Sequence, residues 1–435
     1  MSEYADIKIK ELSLFTFRNT YNKKIVSLFF TNDDLKITNG VKYNNQDEDE
    51  EPHIEYKCET TVLKAKQRLE ALGYTLKRFE EKFNHNKTNI INYDEFSNRL
   101  RINYDDEENE INRRIEKNIT YKKWANSLKK YISYELRKGN IYEYNHEKSP
   151  IPKSDADKII YYSYISDEYD KYYGLLTNKI EVEYIIRQIL EFCKDNDKII
   201  FDFSTLFYWD NISKEQMNFS NELEKNIVLV EGTSDKDIIE FALKNIYPHL
   251  FDLFYFMDFE YASSKKRDGG SSYVIKNIET FMCSKINKKF IALLDNDAEG
   301  SLAKEAMINE IKNIPDNIKI LTYPDLEYAK KYPTVAINGK IVKDNINGKA
   351  CSIELYLPDS MLKNGIDFFP IEWESRKVRK IDDKDIYRYQ GVISGKNEIK
   401  KNFNNYKNMV INNKKKFNKK EWEKAKLLLD HFIFN

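Results

Sequence analysis

Between Asn226 and Thr322 the chain repeats one pattern that leaves few folds open: an apolar run, a helix-length stretch, then another apolar run. Ile227–Gly232, IVLVEG, is apolar at consecutive positions and ends in a carboxylate. A strand apolar at every position is covered on both faces, as in a parallel sheet. Asp237–Tyr247 has helical spacing, Leu253–Met257 reads as a second strand, and Gly269-Gly270 breaks the chain before a helix over Ser272–Phe281. Phe290–Leu294, FIALL, is a third strand and ends at Asp295-Asn296-Asp297; Ala298–Lys312 reads as a helix and Ile318–Thr322 as a fourth strand. This alternation predicts an α/β fold with a parallel, doubly wound, Rossmann-like sheet and right-handed crossovers.

Ligands of such sheets bind beyond the carboxyl ends of the strands. Glu231, Asp235, Asp295 and Asp297 all fall there. Gly232 permits a tight turn after Glu231, and Asp235 opens the next helix. Asp295 and Asp297, one residue apart in extended chain, point the same way and can face one ion. Side chains that offer only hard oxygen donors suit Mg²⁺ or Mn²⁺, not zinc. Phosphodiester attack builds charge on the attacking and leaving oxygens, which divalent ions stabilise; Glu231 could act as general base or as a further ligand. The run D-N-D-A-E-G also resembles the start of a calcium loop of the EF-hand type. That loop needs a Glu at its twelfth position, where Ala306 stands, and a preceding helix, where a strand is expected.

The rest of the chain carries less chemistry. Ile7–Phe17 and Lys24–Phe30 read as strands, Gln46–Glu51 as an acidic loop, and Val62–Leu72 as a helix between a Thr61 cap and a Gly73 stop. Residues 1–88 are therefore expected to form an α+β domain. Residues 89–222 read as a mostly helical spacer, with helices over Tyr121–Arg137 and Glu181–Asp195 and a strand running into a turn over Lys198–Tyr208. Residues 223–360 are expected to form the α/β domain that carries the four carboxylates, and 361–435 a helical C-terminal extension closed by an amphipathic helix over Lys420–Phe434. The loop Ser263–Ser272 places Lys265, Lys266 and Arg267 beside two glycines near the strand tips, where they are candidates for phosphate contact.

Composition excludes some classes. The 71 basic residues are balanced by 71 acidic ones, which argues against a binder that coats nucleic acid by bulk charge. Cys58, Cys193, Cys283 and Cys351 are far apart, giving neither a thiolate zinc set nor a disulfide framework, so a cytoplasmic location is expected. The first apolar stretch contains charges and no run is long enough to span a bilayer, so no membrane association is expected. No phosphate-binding G-x-x-x-x-G-K-[ST] loop occurs.

L-V-E-G-x-x-D followed about 60 residues later by an apolar strand and D-x-D-x-E-G resembles the TOPRIM domain of topoisomerases, primases and OLD-family nucleases. The version with Asp235 is more similar to the nuclease branches. The resemblance implies a Mg²⁺- or Mn²⁺-dependent nuclease acting on DNA or RNA, with a later acidic residue completing a second metal site. Glu354 is the best match for it, with Asp325 and Asp359 as alternatives. Residues 1–88, with YKCETTVLKAKQRLEALGYTL, resemble the N-terminal domain attached to HEPN or TOPRIM effectors of bacterial defence. Tyr389–Lys396, YQGVISGK, resembles a segment that follows TOPRIM in such proteins, which implies that Lys396 stabilises a transition-state phosphate. The family reading implies a toxic antiphage effector, a separate ATPase or sensor partner, and a homo-oligomer. Alternatives are a regulatory nucleic-acid-binding module without catalysis, a primase- or topoisomerase-type enzyme, or a HEPN ribonuclease built on Arg78 and His85.

Overall fold

The computed structural model describes residues 3–43, 50–90, 117–137, 151–157, 160, 180–208, 212–213, 217–219, 221–257, 270–284, 286, 288–310, 314–381 and 384–434. The chain divides into two compact units, Met1–Leu223 and Glu224–Asn435.

The first unit is built on a five-stranded sheet. Its strands are β1 (Tyr4–Ile9), β2 (Leu12–Arg18), β3 (Leu35–Tyr43), β4 (Glu50–Thr61) and β5 (Lys198–Asp202), in the order β2-β1-β5-β4-β3. The stretch Ile7–Phe17, expected as one strand, is a hairpin, because Lys10 turns the chain at φ 54°. Lys24–Phe30, also expected as a strand, is the helix α1 (Lys23–Phe29): Asn22 caps Ile25 N–H, the Ser27 hydroxyl bonds the Lys23 carbonyl, and Val26, Leu28 and Phe29 are buried. Periodicity cannot separate strand from helix in so short an apolar run.

Among the described residues four longer helices follow: α2 (Val62–Ala71), α3 (Leu76–Ile90), α4 (Tyr121–Glu135) and α5 (Val182–Glu191), then the short α6 (Ser204–Tyr208). Thr61 caps α2 by accepting from Lys64 N–H, as its position predicts. Rings of Phe79, Phe83, Tyr121, Trp124 and Tyr184 pack α3, α4 and α5 together, with Phe79 and Trp124 centroids 5.5 Å apart. β5 lies inside the sheet, pairing with both β1 and β4, and buries Ile199 and Phe201. The section read as a spacer thus supplies a central strand of the N-terminal sheet, a pairing across well over 100 residues that no local pattern reveals.

The second unit holds the parallel sheet. β6 (Asn226–Leu229), β7 (Phe254–Phe256) and β8 (Phe290–Leu294) come first, then the two-residue β9 (Asn296–Asp297) and β10 (Ile318–Thr322); the sheet order is β10-β8-β6-β7, and every pairing in it is parallel. All five residues of β8 are buried, so both faces of the sheet are covered at its centre. The connecting helices are α7 (Thr233–Ile246), α8 (Ser271–Cys283) and α9 (Ala298–Glu310). Val274 and Ile278 of α8 and Ala303 and Met307 of α9 pack with Leu229, Phe290, Ala292 and Leu294 into one core. Full burial of each Val, Leu, Ile, Met or Phe side chain stabilises by about 1.5–3 kcal/mol.

Beyond β10 come β11 (Tyr332–Val335), β12 (Ile341–Asp344), the short β13 (Ala350–Cys351), and the two-residue pair β14 (Lys363–Asn364) and β15 (Asp367–Phe368). The expected helical extension then opens on a hairpin instead, β16 (Ile371–Ile381) with β17 (Lys384–Ile393), which joins β11 and β12 in a second sheet. Only after it do the helices α10 (Lys396–Ile411) and α11 (Glu423–Phe434) follow. The polar, basic composition of this stretch had concealed the strands. Phe241 of α7 meets Phe403, Tyr406, Phe417 and Trp422, which fixes α10 against α7. No helix among the described residues is long and apolar enough to cross a membrane.

Candidate functional site

The carboxylates singled out in the sequence meet at the carboxyl ends of β6 and β8. Glu231 stands two residues beyond β6 and two before α7, whose first turn holds Asp235. Asp295 directly follows β8, and Asp297 directly precedes α9. A strand, not a helix, precedes Asp295, so the calcium-loop alternative is excluded by the fold as well as by Ala306.

Glu231 ties the two strand ends together: its Oε1 accepts the Asp295 N–H at 2.8 Å, and its carbonyl accepts the Gly270 N–H at 2.7 Å at the head of α8. Asp235, 7% exposed, accepts the Tyr323 hydroxyl at 2.9 Å. Asp297, 6% exposed, is more committed than its i, i+2 spacing implied. Its Oδ1 accepts the Gly300 N–H at 2.7 Å, capping α9, and its Oδ2 accepts Gln390 Nε2 at 2.6 Å. Asp295 Oδ1 is shut off from solvent and has no hydrogen-bond partner. Buried polar groups are nearly always paired, so this oxygen marks a place for a cation or a proton.

Glu354 lies against this group. It is fully buried; Ser352 donates to its Oε2 at 2.8 Å, and Lys396 Nζ stands 3.2 Å from its Oε1 as an ion pair, not an aligned hydrogen bond. Lys400 lies 4.0 Å from the same oxygen. Of the alternatives, Asp325 accepts from Asn296, the residue between Asp295 and Asp297, at 2.8 Å, and Asp359 is paired with Lys424 at 2.8 Å. Lys396 is positioned by Gly395, whose φ of 68° and close approach to the Phe369 ring leave no room for a side chain.

The electrostatics follow from crowding acids into a dry site. Burial, then the charges of Asp297, Asp235 and Glu299, push Glu231 up to about 8, against the Asp295 N–H, which favours the charged form. Burial and Glu354 push Asp235 up to about 6, opposed by the Tyr323 hydroxyl and Lys396. Burial and the charges of Asp235, Glu231, Asp297 and Glu354 raise Asp295 well above the usual carboxylate range. Burial works to lower Lys396, but Glu354, Asp295 and Asp235 hold it above its ordinary value.

These groups fit a hard divalent cation in donor chemistry and in their missing positive charge. They do not form a finished cage: among the described residues no three or more His, Cys, Asp or Glu side chains make a ready metal site. Glu231, Asp235, Asp295 and Glu354 are the residues that would hold the ion, with Asp297 engaged by its two donors.

Among known families, the model for HEPN/Toprim N-terminal domain 1 matches residues 1–221. The chain belongs to this family. The matched stretch coincides closely with the first structural unit, β5 included. No curated protein and no solved structure matches.

In this HEPN/Toprim-associated chain, Lys265, Lys266 and Arg267 lie outside the described residues. Arg78 and His85 stand seven positions apart on α3, both exposed and with no fixed pairing to each other. Three residues of the carboxylate site were not foreseen: Tyr323, Gln390 and Gly300. Gly300 and Gln390 stood inside quoted motifs, D-N-D-A-E-G and YQGVISGK, but neither was assigned a role, and Tyr323 had no local signal. Gln390 donates to Asp297 from 93 positions away. Gln390→Ala is expected to lower the melting temperature, because it removes the Gln390 donor from the buried Asp297 Oδ2 at a cost of about 1–3 kcal/mol; thermal melting of the variant beside the wild type checks this.

Proposed function

We propose that the second unit is a TOPRIM-type nuclease that hydrolyses nucleic-acid phosphodiesters with Mg²⁺ or Mn²⁺. One observation carries the reading: acidic side chains from β6, α7, β8 and the Glu354 segment gather at the carboxyl edge of a parallel sheet, with a buried Asp295 oxygen left without a partner. Acids whose proton affinities are pushed up together are a mark of functional sites. A structural network would more simply have paired them.

A divalent ion bound there supplies Lewis acidity and offsets charge that builds on the phosphate oxygens. Glu231, whose Oε1 accepts the Asp295 N–H at the rim of the site, is the carboxylate that would serve as general base or as a further ligand. Lys396 is the cation placed to meet a phosphate oxygen, and Glu354 orients it. Tyr323 holds Asp235, and Gln390 holds Asp297, so neither carboxylate must find its position during the reaction.

Family membership and the resemblance of the C-terminal half support a role as toxic effector in bacterial antiphage defence, acting in the cytoplasm as an oligomer and held in check by a separate ATPase or sensor. The test is cleavage of plasmid, linear DNA and tRNA by the full chain. Nicking or cutting is expected with Mg²⁺ or Mn²⁺ and none in excess chelator, with recovery when the ion is returned. Cleavage that persists in chelator rules out the metal-dependent reading. Absence of cutting on every substrate, alone and with the products of neighbouring genes, favours a regulatory binding module.

A further inference from the structure

We propose that the lysine-bearing face of α10 and the loop after it form a track for the phosphate backbone of a nucleic acid, leading to the carboxylate site. This rests on the reading of that site as one that cuts phosphodiesters.

The chain is neutral overall, yet residues 396–420 carry nine lysines and a single acid, Glu398. At 3.6 residues per turn, Lys396, Lys400 and Lys407 fall within roughly 40° of one another on the helix. The row starts on the site itself, with Lys396 3.2 Å and Lys400 4.0 Å from Glu354. Lys407, further along, is braced by Asp237 at 3.4 Å. Lys401, roughly a third of a turn round the helix from this row, and Lys414 and Lys416 after it are exposed and make no ion pair among the described residues. Lys415 lies 4.6 Å from the centre of the Tyr406 ring. Asn404, Asn405 and Asn408 expose amide donors on the same helix. Phosphate and sugar contacts come from such groups.

The helix is fixed, not a floating charged arm. Ile399, Phe403 and Tyr406 are buried, and the aromatic cluster around Trp422 holds this stripe of the helix, which borders the lysine row. At 1.5 Å per residue, Lys396 to Ile411 spans roughly 22 Å. That matches about six nucleotide steps of 3.4 Å along one strand. A lysine row serving solubility alone has no reason to start at a buried carboxylate.

The experiment compares the full-length wild type with K401E/K414E/K415E/K416E, none of which touches the carboxylates. Binding of labelled duplex DNA, single-stranded DNA and RNA of one sequence is followed by anisotropy in chelator across a salt series. The variant is expected to bind on the order of 100-fold more weakly at low salt, with a slope of log affinity against log salt smaller by roughly 3. The arm with the tightest binding identifies the nucleic acid. The matching lysine-to-glutamine variant is expected to fall between the two, which separates charge from misfolding. Hydrolysis of bis(p-nitrophenyl) phosphate with Mn²⁺, a substrate too small to reach α10, is expected to be unchanged.

Unchanged affinity and slope in the variant overturn the track, as does a wild type that binds none of the three polymers. If the wild type cuts the small ester and the variant binds normally, the track is wrong and the nuclease reading stands. If neither protein cuts any ester but the variant loses binding, the track stands and the nuclease reading falls.

Discussion

Asp295→Asn is expected to raise the melting temperature of the chain in chelator and at the same time to abolish cleavage. The carboxylate lies where burial and four other acids disfavour its charge, and its Oδ1 has no donor to compensate. Replacing it with a neutral side chain of equal shape removes that penalty, roughly 1–3 kcal/mol, as replacing ill-compensated buried charges often does. For a unit of this size each kcal/mol is worth about 2–4 °C. The pH dependence has a definite sign. An acid whose pKa is raised by folding binds more protons folded than unfolded once the pH exceeds the ordinary Asp value, so wild-type stability falls as pH rises from about 4. That fall continues until the folded-state pKa is passed, and Asp295→Asn flattens it. Mg²⁺ added at pH 8 stabilises the wild type more than the variant, because the ion takes the place of the missing proton. Cleavage falls by at least about 10²–10³-fold, the scale of losing one preorganised charge-stabilising group. Calorimetry at pH 5 and pH 8, with and without Mg²⁺, checks the stability arm. A variant no more stable than the wild type, with the same pH slope, means that Asp295 is compensated by something else, and the metal reading loses its main support.

How much of this was legible in the sequence depended on the range of the contacts involved. The parallel sheet showed through because buried strands such as FIALL are apolar at every position, and helices of twelve or so residues separate them. The strand ends carried Glu231 and Asp295 to one edge by topology alone, without any statement about side chains. Glu354 was reachable only through the resemblance: its segment shows no periodicity, and its partners Lys396 and Lys400 lie more than 40 positions away. Tyr323 was invisible for the same reason, and Gln390, although it stands inside YQGVISGK, is an ordinary glutamine until the fold sets it against Asp297. The α1 segment misled because a run such as IVSLFF satisfies strand and helix equally, and a side-chain cap at Asn22 decided between them. The β5 strand shows the limit in the other direction: its residues read correctly as extended, but its position between β1 and β4 is a property of the whole unit.

Gly300→Ala is expected to be the most damaging single methyl group that can be added to this site. A Cβ there would lie 2.1 Å from the Asp295 carbonyl oxygen and within 3.2 Å of two further Asp295 backbone atoms. Nothing at the end of a flexible side chain is available to give way, so the start of α9 must move away from the end of β8. That movement breaks the Gly300 N–H bond to Asp297 Oδ1 and with it the cap of the helix. It also disturbs the loop in which Asp295 meets Glu231. Overpacking against rigid backbone together with a lost cap costs about 3 kcal/mol or more, a drop of roughly 6–12 °C. Gly365→Ala is the comparison: its φ is 68° but nothing stands within 4 Å, so it bears only the left-handed penalty of about 1–2 kcal/mol. The ordering of the two melting temperatures therefore separates steric contact at the site from backbone conformation. Activity of Gly300→Ala, measured well below its melting temperature, is expected to be lost beyond what the unfolded fraction accounts for, because the carboxylates are displaced even in the folded chain. If Gly300→Ala melts with the wild type, α9 does not approach Asp295 as closely as its backbone implies. The juxtaposition of Asp295, Asp297 and Glu231 on which the metal site depends is then wrong.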